Sequence, residues 1–179
     1  MRVDTLRFGP IELEKDSLII IKEGLPGFSK LHHFFLVESA EDQLFMWLQS
    51  ADDSRIAFPV IEPQICSPTY KVPIGERELE SLECRDTNRV KVLCIATIPE
   101  DPRQMTANLR APIVISLESQ MAMQVISPDS TYPVKHPLFK DLQRFVSSKS
   151  DDRNPVHVKT DTKSNEKGYQ LHRLKENDF

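Results

Sequence analysis

The chain has 179 residues, of which 39% are hydrophobic and 28% are charged, and this composition indicates an ordinary globular protein of one domain with a tail. Its formal net charge of −4 comes without the basic stripe that duplex-binding proteins usually carry, which argues against direct nucleic-acid binding. The N-terminus lacks the apolar core of a secretory leader, and every apolar run is far shorter than the ~20 residues of a membrane helix, so we expect a cytoplasmic protein without a membrane segment.

The first part of the chain predicts short strands. Thirteen prolines leave little room for long helices, and the runs between them are rich in Val, Ile and Phe. Residues 11–14 alternate apolar and polar side chains, a polar turn follows at 15–17, and the apolar run 18–21 predicts the second strand of a hairpin. The motif Gly-Leu-Pro-Gly-Phe at 24–28 predicts a compact loop that its apolar side chains pin to the core.

Three further strands are predicted at 34–37, 45–50 and 56–61. Pro59 cannot donate a ladder hydrogen bond, so the last of these strands is expected at a sheet edge or at a bulge. Phe58 precedes this proline, and an edge at this point would be open to a partner.

The second half of the chain predicts a central strand between two short helices. Residues 76–82 have the apolar spacing of a short helix, and residues 138–145 have similar spacing over one or two turns. Residues 89–98 give the strongest strand pattern, apolar enough for the centre of a sheet. Three further short strands follow, the first two as a neighbouring pair, at 113–115, 123–126 and 132–134.

The composition changes after Phe145. Residues 147–179 are dense in Ser, Asp, Lys and Asn with only scattered apolar residues, and such a segment buries too little surface to offset the entropy of ordering it. We therefore predict a β domain over 1–146 and a polar, disordered tail over 147–179, with a brief helix near 169–174.

No set of residues predicts a metal, a cofactor or an enzyme. His32 and His33 are adjacent, so on a strand they point to opposite faces and do not grip one ion. Cys66, Cys84 and Cys94 form no close pair, and each is expected to behave as a reduced, small apolar side chain. No acid, base and nucleophile are spaced for catalysis, and no glycine-rich loop carries the Lys-Ser/Thr of a phosphate site.

Acidic residues are prominent on the first predicted helix and in two turns. The four glutamates between residues 76 and 83 indicate a solvated helix face, and some of them are available to a basic partner. Asp52 and Asp101 lie in turn sequences, where aspartate is favoured for its hydrogen bonds to the backbone. An acidic rim for binding is the alternative interpretation of these two residues.

The segment 105–115 is the most distinctive in the chain. It places the turn sequence Asn-Leu-Arg-Ala-Pro, at 108–112, between two strand-like runs. An asparagine in a turn bonds its own backbone and tolerates left-handed geometry, so a structural role for Asn108 stands beside a role in partner contact. Pro112 then begins the next strand, where a missing donor costs least.

Several motifs follow one another along the chain in a specific order and spacing. They are Gly-Leu-Pro-Gly-Phe at 24–28, Trp-Leu-Gln-Ser at 47–50, Phe-Pro-Val at 58–60, Tyr70, Ala-Thr-Ile at 96–98, Thr-Ala-Asn-Leu-Arg-Ala-Pro-Ile at 106–113, Gln-Val-Ile at 124–126 and Tyr-Pro-Val at 132–134. Together they resemble the FliW family of flagellar assembly factors, over roughly residues 5–145.

The resemblance implies a mainly β, antiparallel, barrel-like single domain, to which this chain adds one or two short helices and a flexible C-terminal tail. It also implies two protein partners: flagellin, the filament subunit, and CsrA, an RNA-binding dimer that represses flagellin translation. Flagellin would occupy the protein until export, and the released protein would then antagonise CsrA so that flagellin mRNA is translated. Such a partner switch needs negative coupling between the two binding events.

The expected contacts with these partners are Asp52, Phe58, Asp101, Asn108 and Leu109. An acidic chain suits a basic RNA-binding partner. Two other classes stay open from the sequence. A barrel mouth that houses a small molecule would make the protein a small-ligand-binding β-barrel or an enzyme, and aromatic side chains that stack on bases would make it an RNA-binding barrel.

Overall fold

The computed structural model describes residues 1–39, 44–72, 74–151, 169–172 and 174. Most strands are short, because prolines, glycines and polar turns interrupt the chain every few residues. The strands are β1 (Arg2–Thr5), β2 (Gly9–Glu12), β3 (Ile19–Ile21), β4 (His33–Ser39), β5 (Met46–Ser50), β6 (Ala57–Ile61), β7 (Val90–Thr97), β8 (Thr106–Ala107), β9 (Ile113–Ser116), β10 (Met121–Gln124), β11 (His136–Pro137) and β12 (Tyr169–His172). The helices are α1 (Glu76–Ser81) and α2 (Phe139–Asp151).

Seven strands of the described residues close into a barrel, in the order β3, β4, β5, β6, β7, β9, β10 and back to β3. Neighbouring strands of the barrel are antiparallel except β3 and β10, which run parallel. The short strand β8 pairs with the end of β7, and β11 pairs with β8. The prediction of a mainly β, antiparallel, barrel-like domain with short helices is confirmed.

Apolar side chains that alternate along the strands fill the barrel interior. On β4, Phe34 and Leu36 belong to the interior core, whereas Phe35 and Val37 pack on the outside under β1 and β2. The same alternation brings further fully buried side chains into the interior, namely Leu48, Val60, Leu93, Ile113 and Ile115. Each such burial stabilises the fold by roughly 1.5–3 kcal/mol, and the interior is a packed core.

Outer layers cover the barrel wall on several sides. The β1–β2 hairpin packs Phe8 against β4 and β5. Leu82, directly after α1, packs against β9 and β10, and Leu142 of α2 packs against β6 and β7. In the part of the chain that the structure describes, no helix is long and apolar enough to cross a membrane.

The predicted hairpin of residues 11–14 and 18–21 is wrong. Strand β2 pairs with β1 in the outer layer, whereas Ile19–Ile21 pairs with β4 and β10 in the barrel wall. The 3-10 turn Lys15–Ser17 carries the chain from one layer to the other. The run 11–14 alternates apolar side chains with glutamates and the run 18–21 is continuously apolar, but the periodicity of a run does not reveal which layer buries it.

The sequence predicts a sheet edge or a bulge at Pro59, and the edge alternative is wrong, because β6 pairs with β5 on one side and with β7 on the other. The ladder between β6 and β7 begins only at Val60, one residue after the proline. The missing N–H of Pro59 therefore falls where this ladder has not yet started, so an internal strand tolerates it.

The predicted strand at 132–134 is also wrong. These residues form a turn and loop, which places the Tyr132 ring 4.5 Å from the Tyr70 ring, measured between centroids. The Pro133 carbonyl accepts a hydrogen bond from the Leu109 N–H at 3.1 Å and does not join a ladder. The strand begins at His136 as β11.

Helix α2 and strand β12 enter the segment predicted as a tail. Helix α2 continues across the predicted boundary between 146 and 147 and ends at Asp151. The predicted brief helix near 169–174 is wrong, because Tyr169–His172 forms β12, antiparallel to β4. Residues 152–168, 173 and 175–179 lie outside the described residues, and for them the disordered tail stays a prediction.

Candidate partner-binding groove

One end of the barrel, called the loop end here, gathers the residues that the sequence predicts as partner contacts. Because β3 and β5 end there and β4 and β6 begin there, the loops at 22–32 and 51–56 lie side by side. The connection at 98–112 leaves the end of β7 at the same end of the barrel. The predicted contacts on these segments and their flanks are Asp52, Phe58, Asp101, Asn108 and Leu109.

A groove opens at the loop end between β10 and the loop that follows β3. The parallel ladder of these two strands has only two residue pairs, and it ends at the pair Ala122↔Ile21. The chain then turns away at Gly24, where φ is +66° and an added Cβ would lie 2.6 Å from the Phe28 carbonyl oxygen. Strand β10 continues for two residues, and no described strand pairs with them on this side.

The groove has a volume of about 490 Å³. Its lining is mainly apolar and includes Leu25, Pro26, Met121, Met123 and Ile126. Ile126 is 74% exposed, although its side chain is large and hydrophobic. Methionine side chains adapt to irregular partner surfaces, and an exposed apolar groove marks an interaction site.

The groove has two features that suit an extended protein segment. An open strand edge offers main-chain donors and acceptors to an added strand, and apolar walls accept the side chains of alternate residues. Its charged lining residues are Lys22 and Glu23, both exposed, and none of its described lining residues is a histidine or a cysteine. This lining suits recognition of a polypeptide.

An acidic helix borders the groove. Ser81, the last residue of α1, is part of the groove lining. Helix α1 exposes Glu76 and Glu80, and Glu83 just after it pairs with Lys22 at a distance of 3.2 Å between Nζ and Oε1. Both side chains of this pair are more than half exposed, so the pair adds little stability. The three glutamates and one arginine of α1 give this border a negative charge.

The Asp52 carboxylate holds the turn at 51–56 against the start of β4. One of its oxygens accepts hydrogen bonds from the backbone N–H groups of His32 at 2.6 Å and His33 at 2.8 Å. The other lies 3.0 Å from His33 Nδ1. Burial by itself raises the pKa of Asp52, but the hydrogen bonds from His33 and His32 outweigh it and lower the pKa below its ordinary value. The side chain is 30% exposed, so its main role in the structure is to fix this turn.

Asp101 caps the short 3-10 helix Pro102–Gln104 and is engaged by Arg103. Its Oδ1 accepts hydrogen bonds from Arg103 Nε and from the Arg103 backbone N–H, each at 3.0 Å. The Arg103 side chain and then its backbone N–H lower the pKa of Asp101. This loop therefore presents a paired charge at the surface.

Phe58 packs inward at the loop end. Its ring contacts the Phe28 ring edge-on, with 5.0 Å between the centroids, and lies 6.4 Å from the Phe34 ring. It is partly exposed and packs against the interior core. Through Phe28 it supports the 24–28 loop, which forms one wall of the groove.

Asn108 and Leu109 form a turn whose polar groups bond within the protein. Asn108 Oδ1 accepts a hydrogen bond from the Ala111 N–H at 3.1 Å, and the Asn108 N–H donates to the Ile95 carbonyl at 2.9 Å. The φ of Asn108 is negative, so the left-handed geometry that asparagine tolerates is not used. Leu109 is only 2% exposed, and its carbonyl accepts a hydrogen bond from the Tyr70 hydroxyl at 2.6 Å.

Two tyrosines and an arginine support the turn at residues 108–109 through hydrogen bonds and packing. Arg110 donates from Nε to the Tyr132 carbonyl at 3.0 Å and from Nη2 to the Ser130 carbonyl at 3.1 Å. Burial raises the pKa of Tyr70, so its hydroxyl keeps its proton and donates it to the turn. Sequence reasoning singled out Tyr70 through the family resemblance and, with Cys66 and His32, as a candidate side chain of a small-ligand site. It missed the bracing roles of Arg110 and Tyr132, which lie far apart in the chain.

Cys66, His136 and Asp141 meet beneath α2, with one ligand-type atom of each within 4.8 Å of the others. These residue types ligate zinc in other proteins. Here His136 Nε2 lies 2.6 Å from Asp141 Oδ2, and this contact ties β11 to α2. Arg144, which lies on α2 itself, also contacts the Asp141 carboxylate. Burial raises the pKa of the Cys66 thiol to about 12, which keeps it protonated. Sequence reasoning did not find this cluster, because its members lack the spacing of a metal site.

Sequence reasoning also missed the groove. The groove exists because β3 pairs in parallel with β10 and then ends early, and neither fact is visible in the apolar pattern of the two runs. A partial signal is the spacing of Met121 and Met123, but alternating apolar residues predict a buried strand equally well. The position of Gly24 is the second partial signal, because a glycine between apolar runs indicates a sharp turn.

Comparisons with known proteins agree with one another. A family model described as FliW protein matches residues 2–138. A protein of Bdellovibrio bacteriovorus named flagellar assembly factor FliW is 38% identical over 146 residues, which cover 82% of this chain and 83% of that protein. The protein of the same name from Thermoanaerobacter pseudethanolicus is 38% identical over 149 residues, which cover 83% of this chain and 99% of that protein.

A solved structure supports the same assignment. A crystal structure of the flagellar assembly factor FliW matches with a TM-score of 0.71 and 32% sequence identity, and the match covers 78% of this chain and 97% of the other. The likeness therefore extends over almost the whole of that protein. Helix α2 and strand β12 lie after residue 138, where the family model ends.

Proposed function

The chain belongs to the FliW family of flagellar assembly factors, and we propose that it acts in flagellum biogenesis by binding two proteins in alternation. The partners are flagellin and a CsrA-type RNA-binding regulator, and the protein works in the cytoplasm as a chaperone-like binding protein that catalyses no reaction. While flagellin occupies it, the regulator represses flagellin mRNA, and after flagellin export it captures the regulator and relieves this repression. The family match over residues 2–138 carries the proposal.

We assign flagellin to the apolar groove between β10 and the 24–28 loop. A filament subunit that has not yet polymerised exposes the apolar surface that later packs against its neighbours. A binding protein that covers such a surface prevents premature association. The groove offers a complementary apolar surface, with Met123 and the largely exposed Ile126 along one wall.

We assign the regulator to the acidic border of the same groove. An RNA-binding protein carries basic surface for phosphates, and α1 exposes Glu76 and Glu80 beside the groove. The net charge of −4 adds long-range attraction to a basic partner. Because Ser81 of α1 also lines the groove, a flagellin segment seated there reaches the helix. Overlap of the two sites then makes binding mutually exclusive.

The contacts predicted from the sequence remain part of the proposal as the rim of the loop end. Phe58 shapes the groove wall through Phe28, and Asp52 and Asp101 present partly exposed carboxylates to a basic partner. Asn108 and Leu109 hold the neighbouring turn in shape.

A competition experiment tests the switch. Calorimetry with purified flagellin and the CsrA-type regulator of the same bacterium measures each affinity, and gel filtration of the three-component mixture shows whether both bind at once. We expect two binary complexes, no ternary complex, and release of the regulator when flagellin is added. A stable ternary complex would contradict the overlap, and a protein that binds neither partner would remove the proposal.

The substitution Ile126→Asp tests the flagellin assignment. It puts a carboxylate into the apolar groove at a position that is 74% exposed, so the fold is expected to keep its stability. We expect flagellin affinity to fall at least tenfold, or about 1.4 kcal/mol. Leu6→Asp is the matched control, since Leu6 is 75% exposed on the turn between β1 and β2. Equal losses in the two variants would refute the assignment.

The substitution Glu80→Lys tests the regulator assignment. Reversal of one exposed charge on α1 should weaken regulator binding about fivefold at low salt and less at high salt, because salt screens exposed charges. Glu12→Lys, at an exposed position of β2, changes the net charge equally and is the control. If both variants lose affinity to the same extent, net charge rather than α1 recruits the regulator.

A further inference from the structure

One edge of β4 is shared by two strands. Strand β3 has three residues and pairs with the start of β4 through His33 and Phe34. Strand β12 pairs with the rest of this edge, from Leu36 to Ser39. Because β3 is so short, residues 36–39 would present a row of unpaired N–H and C=O groups on this side if β12 were absent.

The side chains of β12 fit this edge on both faces. Tyr169 packs edge-on against the Phe8 ring with 4.8 Å between centroids, and Leu171 joins the same outer cluster. On the other face, His172 Nδ1 lies 2.5 Å from a glutamate oxygen of β4, and Leu174 just beyond the strand packs against the barrel core. The edge therefore takes an extended segment with large apolar side chains at alternate positions.

Strand β12 comes from a part of the chain that lies outside the family model, which ends at residue 138. Two relatives, from Thermoanaerobacter pseudethanolicus and Caldanaerobacter subterraneus, are matched over 99% of their own length by 149 and 148 residues of this chain. The longer of these matches leaves 30 of the 179 residues of this chain outside it, and β12 lies 31 residues beyond the end of the family model.

We propose that residues 36–39 of β4 form an acceptor site for an extended protein segment, and that this chain covers the site with its own C-terminal strand. Main-chain hydrogen bonds give such a site its affinity, and the pockets for alternate side chains give it selectivity. A partner segment with the same alternation enters only when β12 leaves. The C-terminal strand is thus an intramolecular competitor that sets how tightly a partner must bind.

The attachment of β12 suits this role. Among the described strands it pairs with β4 alone, so its release leaves the barrel ladders intact. Short strands held at one edge belong to the least stable parts of a fold, while a tether keeps a released strand at an effective concentration of about 1 mM. The inference does not depend on the identity of the two proposed partners, and it stands or falls separately from the proposed function.

A peptide with the sequence of residues 168–175, labelled with a fluorophore, probes the site in the full-length protein. Leu171→Asp releases β12 by placing a carboxylate in the apolar outer cluster, and Leu174→Asp removes the second anchor. Fluorescence polarisation should show at least about tenfold tighter peptide binding to either variant than to the wild type, because the tethered strand no longer competes. Val146→Asp, on α2 at a position that is 50% exposed, is the matched control and should bind like the wild type.

Hydrogen exchange supplies a second readout. The alternate amides of residues 36–39 that face β12 should exchange faster in Leu171→Asp than in the wild type and should regain protection when the peptide is added, whereas those that face β5 should not change. A peptide that itself carries Leu171→Asp should not restore this protection. If Leu171→Asp does not fold, Leu174→Asp gives the same test. Equal peptide binding by the wild type and the variants, or unchanged protection of residues 36–39, would overturn the inference.

Discussion

The groove beside β10 and the turn at residues 108–109 lie at the same end of the barrel, but they satisfy their polar groups differently. In the turn, the amide of Asn108 and the carbonyl of Leu109 are bonded to Ala111 and Tyr70 within the protein. In the groove, the end of β10 has no described strand beside it on the open side, and Ile126 is largely exposed. The turn has few groups left to offer a partner, whereas the groove has both backbone and apolar surface.

The difference shows that a distinctive sequence and a binding surface need not coincide. A turn that must satisfy every buried polar group restricts its residue types strongly, so it produces a recognisable motif. A groove that arises because one strand ends early needs only apolar residues of suitable size. The comparison predicts that substitutions in the turn change stability first and that substitutions in the groove change binding first.

Leu109→Ala is expected to lower the free energy of unfolding more than the other substitutions. A small loss would contradict the structural role of the turn. The Leu109 side chain is 2% exposed and packs in the cluster beneath α2, so its removal leaves a cavity. We expect the free energy of unfolding to fall by about 3 kcal/mol, measured by urea denaturation. Leu6→Ala, at a position that is 75% exposed, should lose almost nothing. A loss at Leu109 as small as that of the control would mean that the turn is not part of the core.

Gly24→Ala tests the groove wall and is expected to be next in size. Alanine is disfavoured at φ +66°, and its Cβ would lie 2.6 Å from the Phe28 carbonyl oxygen, so we expect a loss of about 2 kcal/mol and weaker flagellin binding. Gly27→Ala is the matched control, because its φ is +84° but nothing lies within 4 Å of its added Cβ. It should lose about 1 kcal/mol in thermal unfolding. Equal losses would show that the loop relaxes and that its shape does not define the groove.

Much of the barrel was predictable from the sequence, because its strands carry their own signals. The apolar runs at β4 and β7 predict buried strands, and α1 shows helical spacing beside polar residues. The β1–β2 hairpin was missed because residues 11–14 and 18–21 both offer apolar side chains to a core, and only tertiary packing assigns them to different layers. Strand β12 was missed because its flanking composition is polar, and its pairing with β4 is a long-range contact.

The candidate site was less predictable than the fold. Asp52 and Asp101 are conspicuous as acidic turn residues, and the structure shows the hydrogen bonds that explain them as turn residues. The groove depends on where β3 stops relative to β10, which is a property of the strand ladder and not of either run alone. Ile126 carries no local signal of exposure, because it ends the predicted strand 123–126 and isoleucine is usually buried in a strand.

Asn108→Ala tests the two roles that the sequence leaves open for Asn108, because a role in partner contact predicts that the variant loses binding more than stability. Loss of the acceptor for the Ala111 N–H should lower the free energy of unfolding by about 1 kcal/mol. Calorimetry of the folded variant with flagellin and with the regulator then measures the binding effect separately. Unchanged affinity for both partners would remove Asn108 from the contact surface and leave it a purely structural turn residue.

Asp52→Asn is expected to give the smallest effect, and its pH dependence separates charge from shape. The folded-state pKa of Asp52 lies below the ordinary value of 3.8, so the carboxylate contributes stability above that pH and loses it as the pH falls through the folded-state pKa. The variant should be less stable by about 0.5 kcal/mol at neutral pH, and the difference should vanish in strong acid. Urea denaturation from pH 7 down to about pH 2 measures it.

The control for this last substitution is Asp4→Asn, whose carboxylate is 78% exposed and should give little difference at any pH. A stability difference for Asp52→Asn that persists unchanged in acid would mean that the shape of the carboxylate, and not its charge, holds His32 and His33. If Asp52→Asn instead weakens regulator binding and leaves stability unchanged, Asp52 belongs to the contact surface. Residues 51–56 would then belong to the binding surface and not to the structural turns.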